Sequence, residues 1–164
     1  MVVVLAAGSW AGVSALQALQ GTARSASAGR ATLIPADQVR EFRLMRRSDP
    51  TAITLGPHGA LWFTELGGRG IGRITTTGQV QEFSLPTLNS QPGGITAGPD
   101  GALWFTETAP GQIGRITTTG QVQEFSLPTP ATQPEGITLG PNSVLWFTEQ
   151  GQKAPGFSRG MHGS

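Results

Sequence analysis

A spacing of 42 residues constrains this chain more than any other feature. Ile53, Ile95 and Ile137 obey it, and so do Trp62, Trp104 and Trp146. The stretch Gly94 to Glu107 reads Gly-Ile-Thr-Ala-Gly-Pro-Asp-Gly-Ala-Leu-Trp-Phe-Thr-Glu, with close copies at Ala52 to Glu65 and Gly136 to Glu149. Self-similarity at a fixed period in the low forties means that one supersecondary unit is repeated, and the unit has to be explained before the fold.

The middle copy divides into four short strands. Gly94 to Ala97 is the first, and Gly98-Pro99-Asp100-Gly101 is a turn set by Pro and Gly. Ala102 to Glu107, rich in aromatic and aliphatic residues, is the second strand. Ile113 to Thr117 is the third, followed by a Thr118-Thr119-Gly120 turn, and Gln121 to Leu127 is the fourth, ended by Pro128, which cannot donate into a ladder. Leu103, Trp104 and Phe105 are consecutive, so both faces of the second strand are apolar. A sheet with one wet face would alternate. A sheet packed between two neighbours needs both faces covered. Four strands per unit of this length, packed on both sides, is the blade of a β-propeller. The fold class is therefore all-β, with four-stranded antiparallel blades. About three repeats are present, which makes the propeller incomplete, since closure takes about 4–8 blades. Residues 71–87 and 113–129 are identical, so neighbouring blades carry the same chemistry.

Flanking segments depart from this pattern. Residues 1–30 are rich in small and apolar residues, and Ala26-Ser27-Ala28 fits a cleavage site, but no Lys or Arg precedes Arg24. They read as a secretory signal peptide or a disordered leader. The first reading would make the protein secreted or periplasmic, the second cytoplasmic. Residues 36–153 form the partial propeller. From 154 to 164 the repeat fails: the period calls for Ile-Gly-Arg-Ile at 155–158, where the chain has Pro155-Gly156-Phe157-Ser158. That segment is expected to be an aberrant or disordered tail, as a truncated reading frame would leave. With no Cys, disulfides and thiolate metal sites are excluded. A net charge of +1 from 11 basic and 10 acidic residues gives no basic stripe and no nucleic-acid partner.

Folding the hairpin about Asp100 sets Gly93 opposite Glu107. The same operation about His58 and Asn142 sets Thr51 opposite Glu65 and Glu135 opposite Glu149. With the first strand innermost, Thr51, Glu65, Gly93, Glu107, Glu135 and Glu149 would form a ring at one end of the propeller axis, facing substrate. Glu135 and Glu149, with Glu107, are the candidate metal ligands, because paired carboxylates hold hard divalent cations through oxygen or shift each other's pKa for proton transfer. Each Glu can equally be a strand terminus bonded to backbone. Arg73 and Arg115 are expected to pair with Glu82 and Glu124.

The blocks Gly-Ile-Thr-x-Gly-Pro-Asp-Gly-x-Leu-Trp-Phe-Thr-Glu, Ile-Gly-Arg-Ile-Thr and Val-x-Glu-Phe-x-Leu-Pro, in this order over residues 38–153, resemble the streptogramin B lyase (virginiamycin B lyase) family. The resemblance implies a seven-bladed propeller that opens type B streptogramin antibiotics, small cyclic depsipeptides, by elimination across the ester with Mg2+, an antibiotic-resistance activity. It implies metal ligands from a Glu-Pro-His-Gly-Ile segment and from the later Glu of Trp-Phe-x-Glu, with the His as base. Here the His position falls on Thr51, Gly93 and Glu135, and the first Glu on Asp49, Gln91 and Gln133. Only the later Glu is kept, at Glu65, Glu107 and Glu149. No catalytic residue can be assigned. The expectation is a truncated lyase-like fragment without activity of its own. The alternatives are a non-catalytic binding module, or blades that close a propeller with another chain, self-associating through open blade edges.

Overall fold

The computed structural model describes residues 2–5, 39–44, 47–67, 70–129, 132–151 and 159–162. The cleavage-site motif at 26–28 and the tail residues 154–158 lie outside them. The chain divides into two compact units, Met1–Arg43 and Leu44–Ser164. In the first, β1 (Val2–Leu5) pairs antiparallel with β2 (Val39–Phe42), Val2 lying opposite Phe42.

The second unit consists of three blades. Blade I is β3 (Pro50–Leu55), β4 (Leu61–Glu65), β5 (Gly70–Ile74) and β6 (Val80–Ser84), each strand antiparallel to the next. Blade II is β7 (Pro92–Ala97), β8 (Leu103–Glu107), β9 (Gln112–Ile116) and β10 (Val122–Ser126), in the same order. Blade III has β11 (Gln133–Leu139), β12 (Val144–Gln150) and β13 (Arg159–His162). β13 runs antiparallel to β12, in the place that β5 and β9 take in the other blades, although its sequence departs from the repeat. The strands are antiparallel throughout, and the chain is an incomplete β-propeller. Among the described residues no helix is long and apolar enough to cross a membrane.

The second strands carry the core, as their unbroken apolar run requires. Trp62 and Phe63 in blade I and Leu103, Trp104 and Phe105 in blade II are all nearly or fully buried. The Trp face of each blade meets the Phe face of the next. Trp62 and Ile71 of blade I pack with Ile95, Leu103 and Phe105 of blade II. Trp104 and Ile113 of blade II pack with Leu145 and Phe147 of blade III. Within a blade, each Trp stacks on the Phe of the fourth strand, Trp62 on Phe83 and Trp104 on Phe125, with ring centroids 5.6 Å apart in both pairs. Gly114 sits opposite Phe105, and the ring lies where a Cβ would stand, so this glycine makes room for the aromatic.

Arg115 does not pair with Glu124. Its cross-strand partner is Gln123, so alternation puts Glu124 on the other face of the sheet. Arg115 instead pairs with Asp100, Nε to Oδ2 at 2.6 Å, and lies over Trp104. Glu124 accepts from the Thr87 backbone N–H and hydroxyl, at 3.1 and 2.7 Å. Arg73 likewise lies over Trp62.

Candidate functional site

The first strands of successive blades lie against one another, β3 beside β7 and β7 beside β11, so they are innermost, as the ring construction requires. The pairing at their entry ends differs from simple alternation. Ile95 faces Phe105, but Glu107 faces Pro92, one residue off the expected Gly93. Blade I repeats the slip, with Pro50 opposite Glu65, and so does blade III, with Pro134 opposite Glu149. Thr51, Gly93 and Glu135 therefore do not face Glu65, Glu107 and Glu149. Each is the extra residue of a β-bulge.

A threonine hydroxyl accounts for the bulge. Thr64, Thr106 and Thr148 occupy the Thr of Trp-Phe-Thr-Glu. Their Oγ1 atoms accept the backbone N–H of Ala52, Gly94 and Gly136, at 3.1, 2.9 and 3.0 Å. The first two hydroxyls then donate to the next blade, Thr64 to Gly93 O and Thr106 to Glu135 O, both at 2.7 Å. Thr51 and Thr108 add bonds to Pro92 O and Pro134 O. Inter-blade contact is close here: a Cβ on Gly94 would stand 2.6 Å from Glu135 O. The ring end is thus a set of blade-to-blade hydrogen bonds through threonine. The spacing of 42 carries the signal for these residues, since Thr64, Thr106 and Thr148 all obey it, although the candidate ring named Thr51 and Gly93 with the acids and not these threonines.

The acids divide by environment. Glu65 and Glu107 are 1% and 0% exposed, whereas Glu149 is half-buried and Glu135 is exposed on blade III. Thr51 is exposed and Gly93 half-buried. Neither carboxylate oxygen of Glu107 has a hydrogen-bond partner, and Oε1 of Glu65 has none. Burial, and then the charge of Glu82, push the Glu65 pKa up to about 7. Burial, and then Glu124, do the same for Glu107, again to about 7; the nearby Ser90 hydroxyl offsets this in part without reaching hydrogen-bond geometry. A second hydroxyl series lies in the loops before the first strands, where Ser48, Ser90 and Thr132 are all buried at the same 42-residue spacing. Chemically, the enclosed glutamates are proton-holding groups near neutrality.

The ring carboxylates by themselves do not make a magnesium cage. Each blade supplies one carboxylate at its second strand, and Glu149 faces Pro134 while Gln133 faces Gln150. Among the described residues no three His, Cys, Asp or Glu side chains converge. Asp100 serves the turn: burial alone would raise its pKa, but hydrogen bonds from Arg115, Trp104 and the Ala102 N–H, with the Arg115 charge, outweigh it and hold it below the ordinary value.

Antiparallel blades joined Trp face to Phe face, with an acid repeated at the inner end of each second strand, make this chain a partial β-propeller. The chain belongs to the virginiamycin B lyase family, whose family model matches residues 18–157. It is similar to virginiamycin B lyase from Staphylococcus aureus at 42% identity and a TM-score of 0.67, over 79% of this chain and 47% of that one. A streptogramin B lyase structure matches at 43% identity and a TM-score of 0.66, over 79% of this chain and 46% of that one. A catalytically inactive histidine-to-alanine variant of the S. aureus enzyme, solved with quinupristin, matches at 42% identity and a TM-score of 0.67, over 79% and 47% of the two chains. The chain thus spans about half the length of these structures. A chain from a nidogen/laminin complex, 18% identical with a TM-score of 0.58 over 73% of this chain and 46% of its own, shares the fold alone. No curated protein sequence matches the chain.

Proposed function

We propose that these blades are scaffold blades of a lyase that opens type B streptogramins by elimination, and that this chain alone does not turn the substrate over. In such an elimination a base removes the proton next to a carbonyl, the ester C–O bond breaks, and a carboxylate and an alkene are left. The observation that carries the negative half is the identity of the bulge residues. Thr51, Gly93 and Glu135 stand where the family places its base, and none is a histidine. Glu135 is an exposed carboxylate whose backbone oxygen is committed to Thr106. Mg2+ enters this reading as the cofactor of a complete propeller, held where further blades add oxygen ligands. Here the blades fix the inner strands against one another, and the enclosed Glu65 and Glu107 are withdrawn from substrate.

The test is incubation of the purified chain with quinupristin and MgCl2, followed by chromatography for the linear isomer, which has the mass of the intact ring. No linear product is expected. Repeated turnover would overturn the assignment.

A second reading, self-association, is favoured by the outward face of blade III. Trp146 is 40% exposed, against 0% for Trp62 and 6% for Trp104. It lines an apolar groove with Gly136, Thr138 and Thr148, which are residues of the face that blades I and II present to their successors.

A further inference from the structure

An enclosed cluster of oxygen atoms at the junction of blades I and II carries an inference that does not depend on the lyase reading. Glu107 and Ser90 are both 0% exposed. Neither Glu107 oxygen has a hydrogen-bond partner, nor has the Ser90 hydroxyl, nor the buried Oε1 of Gln112. Register brings them together. Glu107 and Gln112 are direct cross-strand partners, so their side chains share one face, and Ser90 lies two residues before Pro92, the other cross-strand partner of Glu107, with its backbone oxygen accepting the Ala109 N–H at 3.3 Å. The Gln112 amide is anchored through its nitrogen, which donates to Ser126 Oγ at 3.3 Å, leaving the carbonyl oxygen unmatched. Glu124 stands on the same face, held by Thr87, and adds negative charge. The cluster is rich in acceptors, and its unpaired donors are the Ser90 hydroxyl and, when protonated, the Glu107 carboxyl. Buried acceptors require partners. Carboxylate, amide carbonyl and hydroxyl oxygens are the ligand types that hard cations take.

We propose that Glu107, Gln112 and Ser90 form a binding site for a single hard divalent cation, which ties the loop before β7 to β8 and β9. Blade I does not repeat the site. Blade I has Ser48 and Glu65 in the corresponding places but Gly70 where blade II has Gln112. It also differs from the pair that the family pattern projects onto this blade. That pair would join Glu107 to Gln91, and Gln91 is exposed, with its backbone oxygen taken by the Thr108 N–H.

The test uses the whole chain, freed of metal by a chelator. Thermal unfolding is followed in millimolar MgCl2, CaCl2 or MnCl2 against NaCl of matched ionic strength, and bound Mn2+ is counted by electron paramagnetic resonance. One Mn2+ per chain and a midpoint raised by ~2 °C or more are expected. Both should be lost in Gln112→Ala and Glu107→Gln and kept in Glu65→Gln. Should Glu107→Gln fail to fold, Gln112→Ala decides the matter, because it leaves the carboxylate in place. Absence of bound Mn2+, or binding unchanged in Gln112→Ala, would overturn the proposal and leave the pocket to water.

Discussion

Replacing Thr106 by valine isolates the blade-to-blade hydrogen bonds. Valine keeps the shape of threonine and removes only the hydroxyl. In the wild type that hydroxyl accepts from the Gly94 N–H at 2.9 Å and donates to Glu135 O at 2.7 Å, and Thr106 is 0% exposed. Substitution therefore leaves a donor and an acceptor without partners at a closed junction. Each unsatisfied buried group costs about 1–3 kcal/mol, so a loss of roughly 2–4 kcal/mol is expected. Thr148 provides the control. It makes the same bond to the Gly136 N–H at 3.0 Å, but both residues are exposed, and water can replace the hydroxyl. Thr148→Val should cost less than about 1 kcal/mol. The assay is urea unfolding followed by tryptophan fluorescence, comparing midpoints at constant slope. If the two variants lose the same stability, or if Thr106→Val stays within about 0.5 kcal/mol of wild type, the hydroxyl is not what holds the inner strands, and the account of the bulge fails.

Glu107→Gln tests the buried carboxyl by pH. Its folded pKa of about 7 lies above the ordinary 4.5, so the folded state binds more protons than the unfolded one between those values. Stability should then fall as pH rises from about 4.5 to 7, and the variant should flatten that fall in denaturant titrations across the window. His58→Asp should stabilise blade I. Trp62 Nε1 is buried without a partner, whereas Trp104 Nε1 donates to Asp100 at 3.1 Å, and aspartate tolerates the left-handed backbone of His58, with φ of 60°. A gain of about 0.5–1.5 kcal/mol is expected, read as a raised thermal midpoint; no gain would mean that the turn geometry keeps the carboxylate from the indole. Trp146→Ser should lower the mass measured by sedimentation velocity if the open Trp face drives association, and an unchanged oligomer would exclude that face.

The period of 42 made the blades legible because packing writes itself into hydrophobic pattern. Leu103, Trp104 and Phe105 announce a strand covered on both sides, and the structure buries all three. The register at the inner ends was not legible in the same way. Counting outward from Asp100 assumes unbroken alternation, and the Thr106 hydroxyl breaks it by competing with the ladder for the Gly94 N–H. That choice is made by one side chain, and it leaves no mark on a period of two. The bond between Arg115 and Asp100 was within reach, since strict alternation along β9 and β10 already sets Arg115 beside Gln123 and turns Glu124 away. The environments of the acids were out of reach for a different reason. Glu107 and Glu149 sit at the same place in the repeat, yet one is enclosed and the other half-buried, because enclosure depends on what surrounds each blade rather than on its own residues. In a repeat protein, sequence identity between units specifies their strands, while position in the array decides which copy of a residue becomes chemically distinct.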